Sequence, residues 1–353
     1  MGLVTYKSKI LLNDKVSDGF ISIENGIITY VGKNAPCTSY VEIKDAIIAP
    51  GFIDIHCHTS LNNSAVENPE EVANFHYAHG TTTMLLTYYR DIPHEQLLKC
   101  LENTKDIMKK CKNVYGAHLE GPYLNAHLGF GVGTNDSPDL TKCKEYISTG
   151  IIRQWTCSPE IEGTDKFIEL IVSNNIVSSI GHSEANYEQV KKAYDAGARL
   201  VTHIFDATKC PETAYDGTLE MDFNESCMLM DDMYYEVICD KNWIHVRKEK
   251  FDLLIKTVSV DRIVCITDMN AIDSKDDGLD VNLVGADLSG TKLTMDRIAT
   301  NLFTSGYNLI DIFKMTSYNP AKVLGLNDRG EIAVGKKADL ILIDENAKFI
   351  KIL

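Results

Sequence analysis

Eight short apolar, β-branched runs recur through the middle of the chain: "GFIDIHCH", "TTTMLLTYY", "NVYGAHLE", "IIRQWTCSPE", "NIVSSIGHS", "RLVTHIFDA", "YYEVICD" and "RIVCITD". Runs of this kind read as strands buried on both faces, as in a parallel sheet covered by helices. The segments between them, such as "EEVANFHYAHG", "HEQLLKCLENTKDIMKKC", "DKFIELIVSNN", "NYEQVKKAYDAG" and "KEKFDLLIKTV", have helical character, and several close on Gly or Asn, as helix stops do. Eight strands alternating with helices predict an α/β fold, a (β/α)8 TIM-type barrel. A doubly wound open sheet is the alternative.

Both ends of the chain keep a different rhythm. From Leu3 to Ala49 short alternating stretches follow one another, with Asn25-Gly26 as a hairpin turn signal, and this predicts a small antiparallel β unit. The carboxyl end, "GEIAVGKKADLILIDENAKFIKIL", alternates in the same way. The expected organisation is a small β-sandwich-like domain built from residues 1–50 and 330–353, beside a barrel of residues 51–329. A length of 353 residues suits one such barrel with an appendage.

The formal net charge of −15 would repel nucleic acid and anionic membranes, so neither is expected as a partner. No apolar run approaches the ~18 residues of a membrane helix, and "MGLVTYKSKILLND" lacks the apolar stretch and cleavage site of a secretory leader. The ten cysteines include no C-x-x-C pair, and most sit in stretches such as "EVICD", where a reduced thiol packs as a small hydrophobe. A soluble, cytoplasmic protein is expected.

What ends the strands carries the chemistry. The first closes on His56 and His58, the third on Glu120, the fifth on His182, the sixth on His203 and the eighth on Asp268. In a parallel barrel all carboxyl ends of the strands meet at one face, where barrel active sites lie. Residues i and i+2 of a strand point the same way, so His56 and His58 can offer nitrogens to one ion, while Cys57 turns away into barrel packing. Each residue alone has a plainer reading: a hydrogen-bonded histidine, a solvated turn glutamate, a helix cap. Together they predict a divalent metal site, with Zn or Fe suited to imidazole and carboxylate ligands, and with Asp268 placed to move a proton in hydrolysis.

The chain resembles the amidohydrolase superfamily, and within it the N-acetylglucosamine-6-phosphate deacetylase branch. The matching pieces are "APGFIDIHCH", "HGTTTMLLT", "GAHLEGPYLN", "SIGHSEANYEQVKKAYDAGARLVTHIFDAT", "CITDMNAI", "LTMDRIATNL" and "TSYNPAKVLGLNDRGEIAVGKKADLILID". The resemblance implies that Glu120, His182 and His203 hold the principal metal, that Asp268 is the general acid/base, and that His56 and His58 belong to a second position, so that one or two ions bind. It implies hydrolysis of the N-acyl bond of a small amino-sugar substrate, N-acetylglucosamine-6-phosphate by default, by a homodimer. His245 matches the family's substrate-contacting histidine. Asp206 and Ala207 fall in the segment "HIFDAT", where the family reads His-(Leu/Ile)-(Phe/Tyr)-Asn-Ala-Met.

The sequence departs from the pattern in two stretches. Val132 stands where a Gly-x-His would polarise the substrate carbonyl, with His127 nearby as a candidate replacement. The segment that should carry a phosphate-binding arginine, "KCPETAYDGTLEMDFNESCMLMDD", has none. From Asp206 to Asp232 the chain holds Asp206, Glu212, Asp216, Glu220, Asp222, Glu225, Asp231 and Asp232 against Lys209 alone, which opposes phosphate binding. Lys241 or Arg247, near His245, would have to take over. A neutral or cationic N-acyl compound is the alternative substrate, and a barrel that binds without catalysis is the alternative of another class. The fourth strand ends "WTCSPE", without the lysine that a carboxylated-lysine branch of the superfamily would need.

Overall fold

At Asn25-Gly26 both residues take left-handed backbone angles, φ 52° and 78°, the geometry of a two-residue turn whose twist matches the strands it joins. In the computed structural model, which describes residues 2–129, 135–210, 217–270, 278–284 and 287–353, this turn links β2 (Val16–Glu24) to β3 (Ile27–Gly32). β1 (Val4–Leu11) pairs with β2 antiparallel along its length. β4 (Val41–Pro50) corrects the purely antiparallel expectation, because residues 33–40 carry the chain back to the end where β1 begins, and β4 then runs parallel to β1.

Gly51 then passes the chain from one sheet to the other. A Cβ on Gly51 would lie 2.2 Å from Thr82 Oγ1 and 2.4 Å from Thr82 Cγ2, so only a glycine fits the approach. The next eight strands are β5 (Phe52–Asp54), β6 (Thr81–Tyr88), β7 (Val114–Glu120), β8 (Ile152–Cys157), β9 (Val177–Ile180), β10 (Leu200–Val201), β11 (Tyr234–Ile238) and β12 (Ile263–Ile266). Each pairs in parallel with the next, so the barrel expectation, rather than the open sheet, describes the chain. β12 returns to the β5 segment through Asp268 N–H to His56 O at 2.9 Å and Thr267 Oγ1 to Asp54 Oδ2 at 2.6 Å.

Five helices fall where the periodicity places them: Pro69–Ala78, His94–Lys110, Thr164–Ser173, Tyr187–Ala196 and Lys248–Val258. Leu140–Ser148, Phe223–Met228 and Met295–Thr304 are further helices that the pattern reading did not single out. β13 (Val281–Val284) and β14 (Asp287–Thr291) form a hairpin that leans on the end of β12, with Thr291 N–H donating to Asp268 O at 2.9 Å. β15 (Leu340–Ile343) and β16 (Phe349–Ile352) then rejoin β4, so both termini build one six-stranded sheet in the order β16-β15-β4-β1-β2-β3.

Ile10, Ile21, Ile28, Ile48, Leu340 and Leu342 close the small sheet over a core of its own. The barrel has the larger core, in which Trp155 packs edge-on to Phe167 and donates its indole N–H to Gly121 O at 2.7 Å. A buried indole needs such an acceptor, and here it fixes the turn after β7, immediately beside Glu120. Core burial on β8 thereby positions a site residue.

Candidate metal centre

Regular pairing stops at or just before the residues of interest. Glu120 is the last residue of β7, while His56, His182, His203 and Asp268 each stand two residues past the last residue of β5, β9, β10 and β12. His58 lies two residues further on. His182, His203 and Asp268 have φ values of 49°, 27° and 41°, a region that non-glycine residues avoid and that costs roughly 1–3 kcal/mol per residue. The chain leaves the ladder there and swings these side chains over the barrel mouth. That departure is why β10 is two residues long although its apolar run is longer.

Two groups of three metal-capable side chains result, His56, His58 and Asp268 in one, and Glu120, His182 and His203 in the other, each with its donor atoms within 4.8 Å of one another. Glu120 Oε1 is 2.9 Å from His182 Nε2 and 3.1 Å from His203 Nε2. Asp268 Oδ1 is 3.3 Å from Nε2 of both His56 and His58. Glu120 also joins the groups, with His56 Nε2 3.5 Å from its Oε1 and His58 Nε2 3.2 Å from its Oε2. All six residues gathered from the sequence therefore meet in one place.

Their electrostatics are those of a cation site. Burial pushes the Glu120 carboxyl up, but the His56 charge and the His182 and His203 bonds hold it well below the usual carboxylate range. Asp268 is likewise raised by burial and held low by His56 and His58. Burial disfavours charge on His203, yet Glu120, Asp206 and Asp268 outweigh it and lift this imidazole to about 9. Protons alone satisfy the arrangement badly, because His56 and His58 Nε2 lie 3.2 Å apart and a proton on each ring would set like charges in contact. His182 directs Nδ1 to Leu128 O at 3.2 Å, leaving its Nε2 lone pair facing the cluster. Converging nitrogen lone pairs and ionised carboxylates fit a divalent cation such as Zn or Fe.

Around this centre His245 is buried, and neither of its ring nitrogens has a hydrogen-bond partner among the described residues. Asp240 positions it, accepting the backbone N–H groups of Asn242, Ile244 and His245 at 3.0–3.1 Å, and lies 3.5 Å from His245 Nδ1. Asp206 and Ala207 are half-buried in the turn after His203, where Ala207 has φ 48°. His127 is exposed and held by its backbone N–H to Asn125 Oδ1 at 3.0 Å, and it belongs to neither group. Val132, Glu212 and Asp216 lie outside the described residues.

The acidic count between Asp206 and Asp232 is reduced by where those residues fall. Asp222 and Glu225 form the capping box of the helix Phe223–Met228, and Asp231 and Asp232 precede β11, at the face of the barrel opposite the mouth. Lys241, Arg247 and Lys250 are exposed on the mouth side of β11, and Lys250 lies 4.8 Å from the Phe205 ring centre.

Sequence reasoning missed several contributors. Tyr89 stacks on His58 at 4.3 Å and donates its hydroxyl to Asn270 Oδ1 at 2.6 Å. Glu236, the acid within "YYEVI", bonds His56 from inside the barrel at 3.1 Å, and a carboxylate in an otherwise apolar run was the available signal. Cys57 does turn away from the two histidines into the barrel's apolar core, where its Sγ also lies 3.0 Å from His76 Nε2.

A family model described as "Amidohydrolase family" matches residues 47–353. The N-acetylglucosamine-6-phosphate deacetylase of Bacillus subtilis is 27% identical over 96% of this chain and 92% of its own length. The Caenorhabditis elegans protein of that name is 28% identical over 87% of this chain and 81% of its own length. Among solved structures, the N-acetylglucosamine-6-phosphate deacetylase of Thermotoga maritima superposes with a TM-score of 0.85 at 28% identity, over 99% of this chain and 97% of that one.

Proposed function

The chain belongs to the amidohydrolase family, and from that premise we propose that it is a metal-dependent deacetylase which removes the acetyl group of N-acetylglucosamine-6-phosphate. The observation that carries this reading is the convergence of Glu120, His182 and His203 beside His56, His58 and Asp268 at the barrel mouth. The names of the relatives supply the substrate.

Glu120, His182 and His203 would hold the principal ion, of Zn or Fe, and His56, His58 and Asp268 a second. Bound there, a divalent ion supplies Lewis-acid polarisation of the amide carbonyl and lowers the pKa of water toward ~7. Asp268, kept ionised by its imidazole neighbours, accepts the proton of the attacking water and returns it to the departing amine nitrogen. His245, whose Nδ1 faces Asp240 and whose Nε2 has no hydrogen-bond partner among the described residues, donates to the sugar, and its charge is supported by Asp240, Asp206 and Asp268 against the opposing effect of burial. The backbone of Asp206 and Ala207 lines the same wall, and Lys241, Arg247 and Lys250 offer cations for the phosphate in place of the missing arginine. His127 stays a substrate-contact candidate on the loop after β7.

The same reading divides the chain into a small sheet domain of residues 1–50 and 330–353 and a catalytic barrel of residues 51–329. It takes the protein to be a cytoplasmic homodimer. The ten free cysteines accord with a reducing compartment, and the dimer rests on family resemblance, to be checked by light scattering. No helix among the described residues is long and apolar enough to cross a membrane.

Acetate release from N-acetylglucosamine-6-phosphate, with the unphosphorylated sugar alongside, tests the substrate. Preference for the phosphorylated sugar supports the proposal. Turnover of neutral or cationic N-acyl compounds alone would transfer it to the alternative substrate class.

A further inference from the structure

Directly beneath the metal centre, a carboxylate is sealed inside the barrel. Glu236 on β11 has no solvent exposure, and neither has His56 nor Gln154 on β8. Its Oε2 lies 3.1 Å from His56 Nδ1 and its Oε1 accepts from Gln154 Nε2 at 2.6 Å. His118 lies edge-on to His56 at 4.5 Å but is otherwise engaged, with Nδ1 3.2 Å from Thr87 Oγ1 and Nε2 2.8 Å from Thr156 Oγ1. An ionised carboxylate is costly to bury unless it answers a positive charge.

The geometry shows what that charge would be. An acceptor at Nδ1 fixes the proton of a neutral imidazole on that nitrogen and leaves the Nε2 lone pair free. His56 Nε2 points into the group it forms with His58 and Asp268. We propose that Glu236 is a positioning residue which, through the Nδ1–H of His56, commits the Nε2 lone pair to the ion position shared with His58 and Asp268. This inference rests on the metal-dependent reading above, which already gives that position an ion, and adds the residue that secures it. Among the described residues no such carboxylate stands behind the other position, since His182 Nδ1 faces a backbone carbonyl and His203 Nδ1 has no hydrogen-bond partner. Glu236 therefore discriminates between the two positions.

Glu236→Gln isolates the effect. The new amide can accept from His56 Nδ1–H through its oxygen and donate to Gln154 Oε1, which has no hydrogen-bond partner among the described residues, once the Gln154 amide turns over. Shape and hydrogen bonding survive while the negative charge is lost. The measurement is bound Zn per chain, by elemental analysis of the whole protein equilibrated against graded concentrations of a competing chelator. Wild-type protein is expected to hold two equivalents. In Glu236→Gln one equivalent is expected to bind about 10-fold to 100-fold more weakly, the scale of second-sphere losses, while the other is unchanged. His56→Asn should lose that same equivalent and no other.

One equivalent in the wild-type protein would overturn the inference and leave the deacetylase reading standing, provided acetate is still released. Equal weakening of both equivalents in Glu236→Gln would overturn it too, by reducing Glu236 to a support of the fold. No bound Zn at all in the wild-type protein would remove both readings together.

Discussion

His182 Nε2 and His203 Nε2 lie 3.0 Å apart, each within about 3 Å of the same Glu120 oxygen. Two imidazole lone pairs are brought this close only where a cation or a proton is to sit between them and the carboxylate. The backbone is bent to achieve it, with φ of 49° at His182 and 27° at His203.

Gly129 guards that arrangement. Its φ is 75°, and an added Cβ would lie 2.4 Å from His182 Nδ1 and 2.5 Å from Cε1. Gly129→Ala should displace the ring and lose the principal ion together with acetate release. Gly306→Ala is the control, because that residue shares a positive φ of 96° with nothing within 4 Å of its Cβ and carries only the left-handed strain of ~1–2 kcal/mol. Elemental analysis of the two variants separates a clash at His182 from general strain.

Asp268→Asn should reduce turnover about 10²-fold to 10⁴-fold, the scale of a lost general acid/base, while the ion at Glu120, His182 and His203 stays bound. Steady-state kinetics and metal analysis on one preparation read both. Near-normal turnover would sink the role given to Asp268.

His76 offers a pH dependence separate from the ligands. It is fully buried, its Nε2 lies 2.9 Å from Thr59 O, and its Nδ1 has no partner among the described residues. Burial lowers its pKa to about 4 from an ordinary value near 6.5. The unfolded chain thus binds a proton between pH 6.5 and pH 4 that the folded chain refuses. The stability involved is fully present above pH 6.5 and lost as pH falls through 4, to the extent of roughly 3 kcal/mol. Urea unfolding at pH 7 and pH 4.5 should show a smaller acid loss in His76→Gln than in the wild-type protein. Equal losses in the two would contradict the assignment.

Arg247→Ala combined with Lys250→Ala should lower kcat/KM for the phosphorylated sugar about 10-fold to 100-fold, as befits lost charge-assisted contacts, and leave the unphosphorylated sugar unaffected. A uniform fall on both sugars would place the two cations outside phosphate recognition.

The barrel was legible in the sequence because strands buried on both faces must be continuously apolar, and all eight runs became strands. The residues of the candidate site were legible because each polar residue ended such a run. Three-dimensional consequences were less so. The parallel pairing of β4 with β1 depends on where residues 33–40 carry the chain, which no local pattern records. The acidic count near Asp206 overstates the charge at the mouth, because Asp222 and Glu225 are spent on a helix cap and Asp231 and Asp232 precede β11 at the opposite face. Glu236 reaches His56 from across the barrel interior and Tyr89 reaches His58 from the end of β6, a proximity that only the closed barrel creates.

The most direct test of the central claim is acetate release from N-acetylglucosamine-6-phosphate by chelator-stripped protein as Zn is titrated back, with bound Zn counted on the same samples. The account predicts that the stripped protein is silent and that activity rises as the position at Glu120, His182 and His203 fills. Full activity without bound metal would contradict it, as would a fully loaded protein that releases no acetate from either the phosphorylated or the unphosphorylated sugar.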